Sequence, residues 1–163
     1  MINTEILREY DIRGIYQESL KLEDVENIAK KISNIISKIN TPKIIIGHDG
    51  RLSSLEIKNK LIDTFRRHGV DVVDISLIPT PVSYYATKKL DIPNLIMITG
   101  SHNPKEYNGL KIIINNKPFF GKKIKSLNDL DDASLSSALG QLTFKDVITC
   151  LLYTSDAADD IPR

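Results

Sequence analysis

Two uninterrupted apolar runs, Leu95-Ile96-Met97-Ile98 and Ile112-Ile113-Ile114, bracket a polar loop rich in Gly, Pro and Asn. Runs this short and this apolar read as buried strands, and a polar loop between buried strands is where α/β proteins usually carry their chemistry. A third run, Lys43-Ile44-Ile45-Ile46-Gly47, and a fourth from Val70 to Ser76 extend the series.

Between the strands the period becomes helical. Val25, Ile28, Ala29, Ile32, Ile35, Ile36 and Ile39 fall on one face of a helix over residues 23–39, ended by Thr41-Pro42. Ser53 and Glu56 have capping-box spacing ahead of Leu55, Leu61, Ile62 and Phe65, and Gly69 sits at the C-terminal cap. Pro79-Thr80-Pro81 breaks the chain, and Pro81 opens a helix to about Leu90. Ile6 to Tyr16 reads as an irregular strand or loop, and Ile124 to Leu139 as a weak helix interrupted around Asp129 to Ala133.

Strands alternating with helices imply right-handed crossovers and parallel pairing. The connection from Ile98 to Leu110 holds no helix, so that pair is expected to be antiparallel. The expected fold class is α/β, a three-layer α/β/α sandwich with a mixed, mostly parallel sheet.

The chain of 163 residues suits one domain, placed at 1–149. Residues 150–163 contain no Lys, Asn or Gly and continue no periodic pattern; they read as foreign sequence or as a frayed natural terminus. Leu151, Leu152 and Tyr153 could instead finish a helix starting near Phe144. A formal charge of +1 gives no reason to expect nucleic acid or an anionic membrane as partner. The first residues lack a basic then apolar leader, and no apolar run approaches the roughly 20 residues that span a bilayer. A single cysteine, Cys150, fits a reducing cytoplasm.

Three segments could carry chemistry. In Thr99-Gly100-Ser101-His102-Asn103-Pro104, Ser101 is a hydroxyl nucleophile that needs help from a base or cation, and His102 and Lys111 are near in sequence. Equally, Ser101 and Asn103 could only stabilise a turn that Pro104 fixes. The Gly-x-Ser-x-Gly elbow of serine hydrolases is absent, since Asn103 holds its last position. In Tyr10-Asp11-Ile12-Arg13-Gly14, Arg13 offers a fork for phosphate, or marks a surface turn. Gly47-His48-Asp49-Gly50-Arg51-Leu52-Ser53 links a strand to a helix, where anions bind; alternatively Asp49 and Gly50 make the turn and Arg51 pairs with Asp49.

In their order these segments, with Pro79-Thr80-Pro81 and Tyr107-Asn108-Gly109-Leu110-Lys111, closely resemble the first domain of the α-D-phosphohexomutases, over about Leu7 to Val147. The resemblance implies an isomerase that moves phosphate between C1 and C6 of a hexose through a phosphoserine and a hexose 1,6-bisphosphate, which also serves as activator. It makes Ser101 the phosphoserine, whose phosphate binds Mg²⁺, and Lys111 a general acid/base. Tyr10 and Arg13 would contact the phosphoryl or sugar group, while His102 and Asn103 position the loop.

Thr99-Gly100 and Tyr10-Asp11-Ile12 look like the phosphomannomutase/phosphoglucomutase branch rather than phosphoglucosamine mutases. The family's acidic metal loop and its sugar- and phosphate-binding loops have no counterpart here. The resemblance therefore implies further domains of the same chain, and no measurable mutase turnover from these residues alone. A non-catalytic module that binds a sugar phosphate or a partner protein is the alternative from another class.

Overall fold

The computed structural model of the chain describes residues 1–38 and 42–149. Its strands are β1 (Ile12–Ile15), β2 (Lys43–His48), β3 (Asp71–Leu77), β4 (Leu95–Ile98), β5 (Tyr107–Ile114), β6 (Lys117–Pro118) and β7 (Leu142–Phe144). They form one sheet in the order β1-β5-β4-β2-β3-β7, with β6 attached to β5. β2 runs parallel to β3 and β4, and β3 runs parallel to β7. β5 is antiparallel to both β4 and β1. The sheet is mixed for the reason the sequence suggests: the helix-free connection after Ile98 sends the chain straight back.

Side-chain alternation assigns the two faces. On one, Ile44, Ile46, Ile96, Ile98 and Ile112 meet Val25, Ile28 and Ile32 of α1 (Leu22–Ile36) and Ile57, Leu61 and Phe65 of α2 (Ser54–Arg67). On the other, Ile45, Val73, Leu95 and Met97 meet Ala86 of α3 (Thr80–Lys89). Neighbours such as Ile44 and Ile45 therefore serve opposite layers, which is why the runs show no polar alternation. Each such side chain, fully buried, contributes roughly 1.5–3 kcal/mol from apolar transfer.

α1 ends at Ile36, and Ile39 lies outside the described residues. Gly69 takes φ +76°, the left-handed conformation required just past α2. Pro81 sits in the first turn of α3, where its missing N–H costs nothing.

Four expectations fail or fall outside. The capping box does not form: Ser53 Oγ accepts from Asn108 Nδ2 at 2.8 Å, and Glu56 accepts from the Tyr16 hydroxyl at 2.6 Å. Residues 124–139 give only α4 (Lys122–Lys125) and a 3₁₀ turn, Ser126–Asp129, before an extended path. In that path the Ala133 N–H donates to Lys30 O and the Ser136 N–H to Arg67 O, so external partners replace helical bonds. Phe144 itself lies in β7, because the edge of β3 is free to pair with it, and helix begins only at residue 148, where Asp146 Oδ1 accepts from the Ile148 and Thr149 N–H groups. The reading of residues 150–163 lies outside the described residues.

The Tyr16–Glu56 contact ties the end of β1 to α2. Burial first, then the hydrogen bond and negative charge of Glu56, push the Tyr16 phenol up to about 12. Folding raises this value, so the contact stabilises fully below the ordinary 10.0 and fades as the pH climbs toward 12. The difference between absorbance titrations of the chain and of Tyr16→Phe should isolate a phenol that ionises well above 10.0, and Glu56→Gln should lower it. A Tyr16 phenol ionising near 10.0 would contradict the contact.

Candidate active site

Strand β4 delivers residues 99–106 to one end of the sheet, and β5 carries the chain away. The Thr99 N–H donates to Gly109 O at 3.0 Å, closing the base of the loop. Asn103 donates twice to Gly100 O, from its backbone at 3.1 Å and its side chain at 2.8 Å. Ser101 sits at the tip of this turn with φ +54°, a conformation that costs a non-glycine residue about a kcal/mol and persists only where neighbours enforce it. Its N–H donates to Thr99 Oγ1 at 2.9 Å, and its Oγ lies 3.1 Å from His102 Nδ1. Ser101 and His102 are both exposed. Sequence adjacency has become contact for this pair.

Beneath the loop, Asp49 and Arg51 form the pair that the residues alone allowed, Arg51 Nε to Asp49 Oδ2 at 3.2 Å. Arg51 does far more. Its Nη1 donates to the carbonyls of Pro104 at 2.6 Å and Tyr107 at 2.9 Å. Its Nη2 donates to those of Ser101 at 3.0 Å and Asn103 at 2.8 Å. A Cβ on Gly100 would stand 2.4 Å from Arg51 Cζ, so only glycine lets the guanidinium approach.

Asp49 Oδ1 accepts from the Ser54 hydroxyl at 2.7 Å and from the Arg51 N–H at 3.1 Å. Burial alone would push the Asp49 carboxyl up. The Ser54 bond, the Arg51 amide, the Thr99 hydroxyl and the Arg51 charge outweigh it and hold Asp49 below the usual carboxylate range. Buried Asn108, at the start of β5, joins Ser53 and Ser54 through Nδ2 at 2.8 and 3.0 Å. Because folding lowers the Asp49 value, its stabilisation holds above the ordinary 3.8 and is lost as the pH falls below it. Asp49→Asn should therefore lower the thermal midpoint near pH 7 and lose most of that effect below pH 3.8. An equal loss at both pH values would contradict this.

The other predicted residues gather where β1 pairs with β5. Asp11, only 4% exposed, accepts through Oδ2 from Arg13 Nη2 at 2.6 Å and from Lys111 Nζ at 3.4 Å. Asp11 Oδ1 and Arg13 Nε are buried without a partner among the described residues. A cleft of about 410 Å³ runs past Tyr10, Asp11, Arg13, Tyr107 and Asn103, joining the serine loop to β1. Tyr10 and Lys111 share the next cleft, about 400 Å³, with Tyr84, Lys88 and Phe119. Tyr10 is exposed and stacks on Phe120 with ring centroids 6.5 Å apart.

The structure thus brings Tyr10, Arg13 and Asn103 to one cleft and joins Lys111 to it through Asp11. No bond links Lys111 to Ser101 among the described residues. Sequence reasoning missed Asp11, Asn108 and the grip of Arg51 on the loop carbonyls. Only the paired occurrence of Gly100 and Arg51 hinted at that grip.

Magnesium wants several hard oxygen ligands in near-octahedral array. Among the described residues no three His, Cys, Asp or Glu side chains gather to hold a metal ion. Around Ser101 the side-chain donors are its own hydroxyl and one imidazole. These residues alone do not fit Mg²⁺.

Residues 4–129 match the family described as phosphoglucomutase/phosphomannomutase, alpha/beta/alpha domain I. The chain belongs to that family. It is 36% identical over 157 residues to a phosphomannomutase/phosphoglucomutase of Pseudomonas syringae pv. tomato, covering 96% of this chain and 33% of the relative. A Methanosphaera stadtmanae protein whose name carries phosphoglucosamine mutase is 42% identical over 101 residues, covering 62% of this chain and 22% of the relative. Among solved structures, a phosphoglucomutase/phosphomannomutase family protein from Burkholderia thailandensis superposes with a TM-score of 0.81 at 31% identity. That match covers 99% of this chain and 37% of the other. The chain therefore carries the family's first domain and spans about a third of the length of the Pseudomonas relative. Among the described residues no helix is long and apolar enough to cross a membrane.

Proposed function

We propose that these residues are the nucleophile-bearing domain of a longer phosphomannomutase/phosphoglucomutase acting on a hexose phosphate. The observation that carries the reading is the exposed Ser101 in a loop braced by Arg51, whose Asn103 lines a cleft with Arg13 and with Asp11, the buried carboxylate that also binds Lys111. Phosphoryl transfer asks for positioning and positive charge, which this arrangement supplies.

In the forward step, a free sugar hydroxyl of the hexose phosphate attacks the phosphorus carried by Ser101. The new P–O bond forms as the P–Oγ bond breaks, leaving a bound hexose 1,6-bisphosphate. Return of the other phosphate to Ser101 Oγ completes the isomerisation. Lys111 serves as general acid/base for the sugar hydroxyl, while Tyr10 and Arg13 hold the phosphoryl or sugar group. His102 and Asn103 keep Ser101 presented. The phosphate on Ser101 would be this domain's contribution to a Mg²⁺ site, where the ion would supply charge neutralisation, and the further ligands would have to come from other parts of the longer protein.

The choice of the phosphomannomutase/phosphoglucomutase branch over phosphoglucosamine mutase rests on Thr99-Gly100 before Ser101 and Tyr10-Asp11-Ile12 before Arg13. The Methanosphaera match is the observation that favours phosphoglucosamine as the second reading.

Coupled assays on the longer protein with mannose 1-phosphate, glucose 1-phosphate and glucosamine 1-phosphate test the proposal. Turnover of the first two is expected. Residues 1–163 alone should show none, since most of the positioning is missing. A longer protein inactive on all three would leave the binding-module reading, and robust turnover by residues 1–163 would overturn the division of labour between domains.

A further inference from the structure

Asp11 takes no part in the chemistry above, yet it is 4% exposed and lines, as a carboxylate, the cleft that Arg13 offers to an anion. A negative charge there works against anion binding. The antiparallel register brings it in: Ile12 pairs with Leu110, so the next step along the two strands sets Asp11 against Lys111. The carboxylate is poorly used for stability. Arg13 Nη2 at 2.6 Å and Lys111 Nζ at 3.4 Å share Oδ2, while Oδ1 and Arg13 Nε are buried with no partner among the described residues. A pair built for stability would meet through both forks and leave neither atom unpaired. The two bonds are also unequal. Charge-assisted bonds of this kind settle at about 2.7–2.9 Å, so Arg13 is held firmly and Lys111 loosely. Arg13 lines one cleft and Lys111 its neighbour, with Tyr10 common to both, so Asp11 joins a cation of each. The two nitrogens are no farther apart than these two bonds laid end to end, a span that the oxygens of one phosphoryl group cover.

We propose that Asp11 is a positioning residue that anchors Arg13 and holds Lys111 loosely as its resting counter-ion, so that the ammonium turns to a sugar phosphate entering between the two cations. This role rests on the reading of Arg13 and Lys111 as substrate groups, and deepens it. At rest the carboxylate gives the flexible Lys111 stem one preferred direction. An ammonium has three donors, so Lys111 can aim a proton at the anion from the place that Asp11 sets. The short Arg13 bond meanwhile keeps the guanidinium still. Asp11 thus weakens anion binding and sharpens the bound geometry, which is where positioning contributes to rate.

Inorganic phosphate titrated into the 163-residue chain, with the Lys111 ammonium and the Arg13 guanidinium followed by ¹H–¹⁵N NMR, tests this without requiring any enzyme activity. In the parent chain both signals should move along one binding curve. Asp11→Asn removes a negative charge beside the two cations and should tighten phosphate about fivefold or more. Should Asp11→Asn fail to fold, the shared curve of Lys111 and Arg13 in the parent chain decides alone. In the longer protein, Asp11→Asn should cut kcat about 10–100-fold while KM stays level or falls. A carboxylate that only holds the fold together would raise KM as kcat drops. In the Lys111→Met background the same substitution should cost little further kcat, because its effect runs mainly through Lys111.

Phosphate that binds Asp11→Asn no tighter than the parent chain would overturn the inference. So would Lys111 and Arg13 signals that ignore phosphate, an undiminished kcat, a raised KM, or a fully additive loss in the double variant. None of these results touches the mutase reading. That reading fails separately if the longer protein turns over no hexose phosphate, and the phosphate titration would then still decide the role of Asp11.

Discussion

Gly109→Ala is expected to destabilise the chain by on the order of 3 kcal/mol or more, among the largest effects of any single substitution. Gly109 pairs with Arg13 across β1 and β5, and the strands approach so closely that an added Cβ would stand 2.1 Å from Ile12 O. Backbone cannot yield as a flexible side-chain tip can, so β1 would have to move away from β5. That movement would also separate Asp11 and Arg13 from Lys111, and damage to fold and site should appear together. Urea unfolding of the chain would measure it, with a large drop in midpoint. A change under about 1 kcal/mol would contradict the close pairing.

Lys111→Met should instead leave the fold nearly intact and cut turnover of the longer protein by roughly 10²–10⁴-fold. Among the described residues the Lys111 ammonium bonds only Asp11, at 3.4 Å, and the side chain is 28% exposed, so its structural contribution is small. Its expected contribution is chemical, as the group that exchanges a proton with the reacting sugar hydroxyl. Steady-state kinetics should show the loss mainly in kcat, with the parent's thermal midpoint retained. Undiminished kcat would remove Lys111 from the chemistry and leave it as the partner of Asp11.

The layers of the fold were legible because they depend on local pattern. Apolar runs with no polar alternation mark strands covered on both faces, and the helical period of Val25 to Ile36 matches α1. The antiparallel β4–β5 pair was legible from a connection too short for a helix. Elements decided by distant partners were not. The capping box of Ser53 and Glu56 lost its side chains to Asn108 and Tyr16, which lie far away in sequence. β7 exists because the β3 edge is open, and nothing in Leu142-Thr143-Phe144 announces that edge.

The site divides in the same way. The motif around Ser101 put that serine and His102 on view at once, and the Asp49–Arg51 pair follows from the turn. The grip of Arg51 on four carbonyls spans half a hundred positions in sequence and has no local signature apart from Gly100. Read as sequence, Asp11 has no role beside Arg13, yet its buried carboxylate is what brings Arg13 and Lys111 together. Long-range satisfaction of buried polar groups decided each of these, and a linear pattern does not encode it.

The central claim is that Ser101 carries the phosphate in transit. Incubating the longer protein with glucose 1,6-bisphosphate, then mapping phosphopeptides by mass spectrometry, tests it most directly. The account predicts one phosphate on Ser101, absent from Ser101→Ala. Phosphate incorporated undiminished in Ser101→Ala, or none in the parent protein, would contradict it.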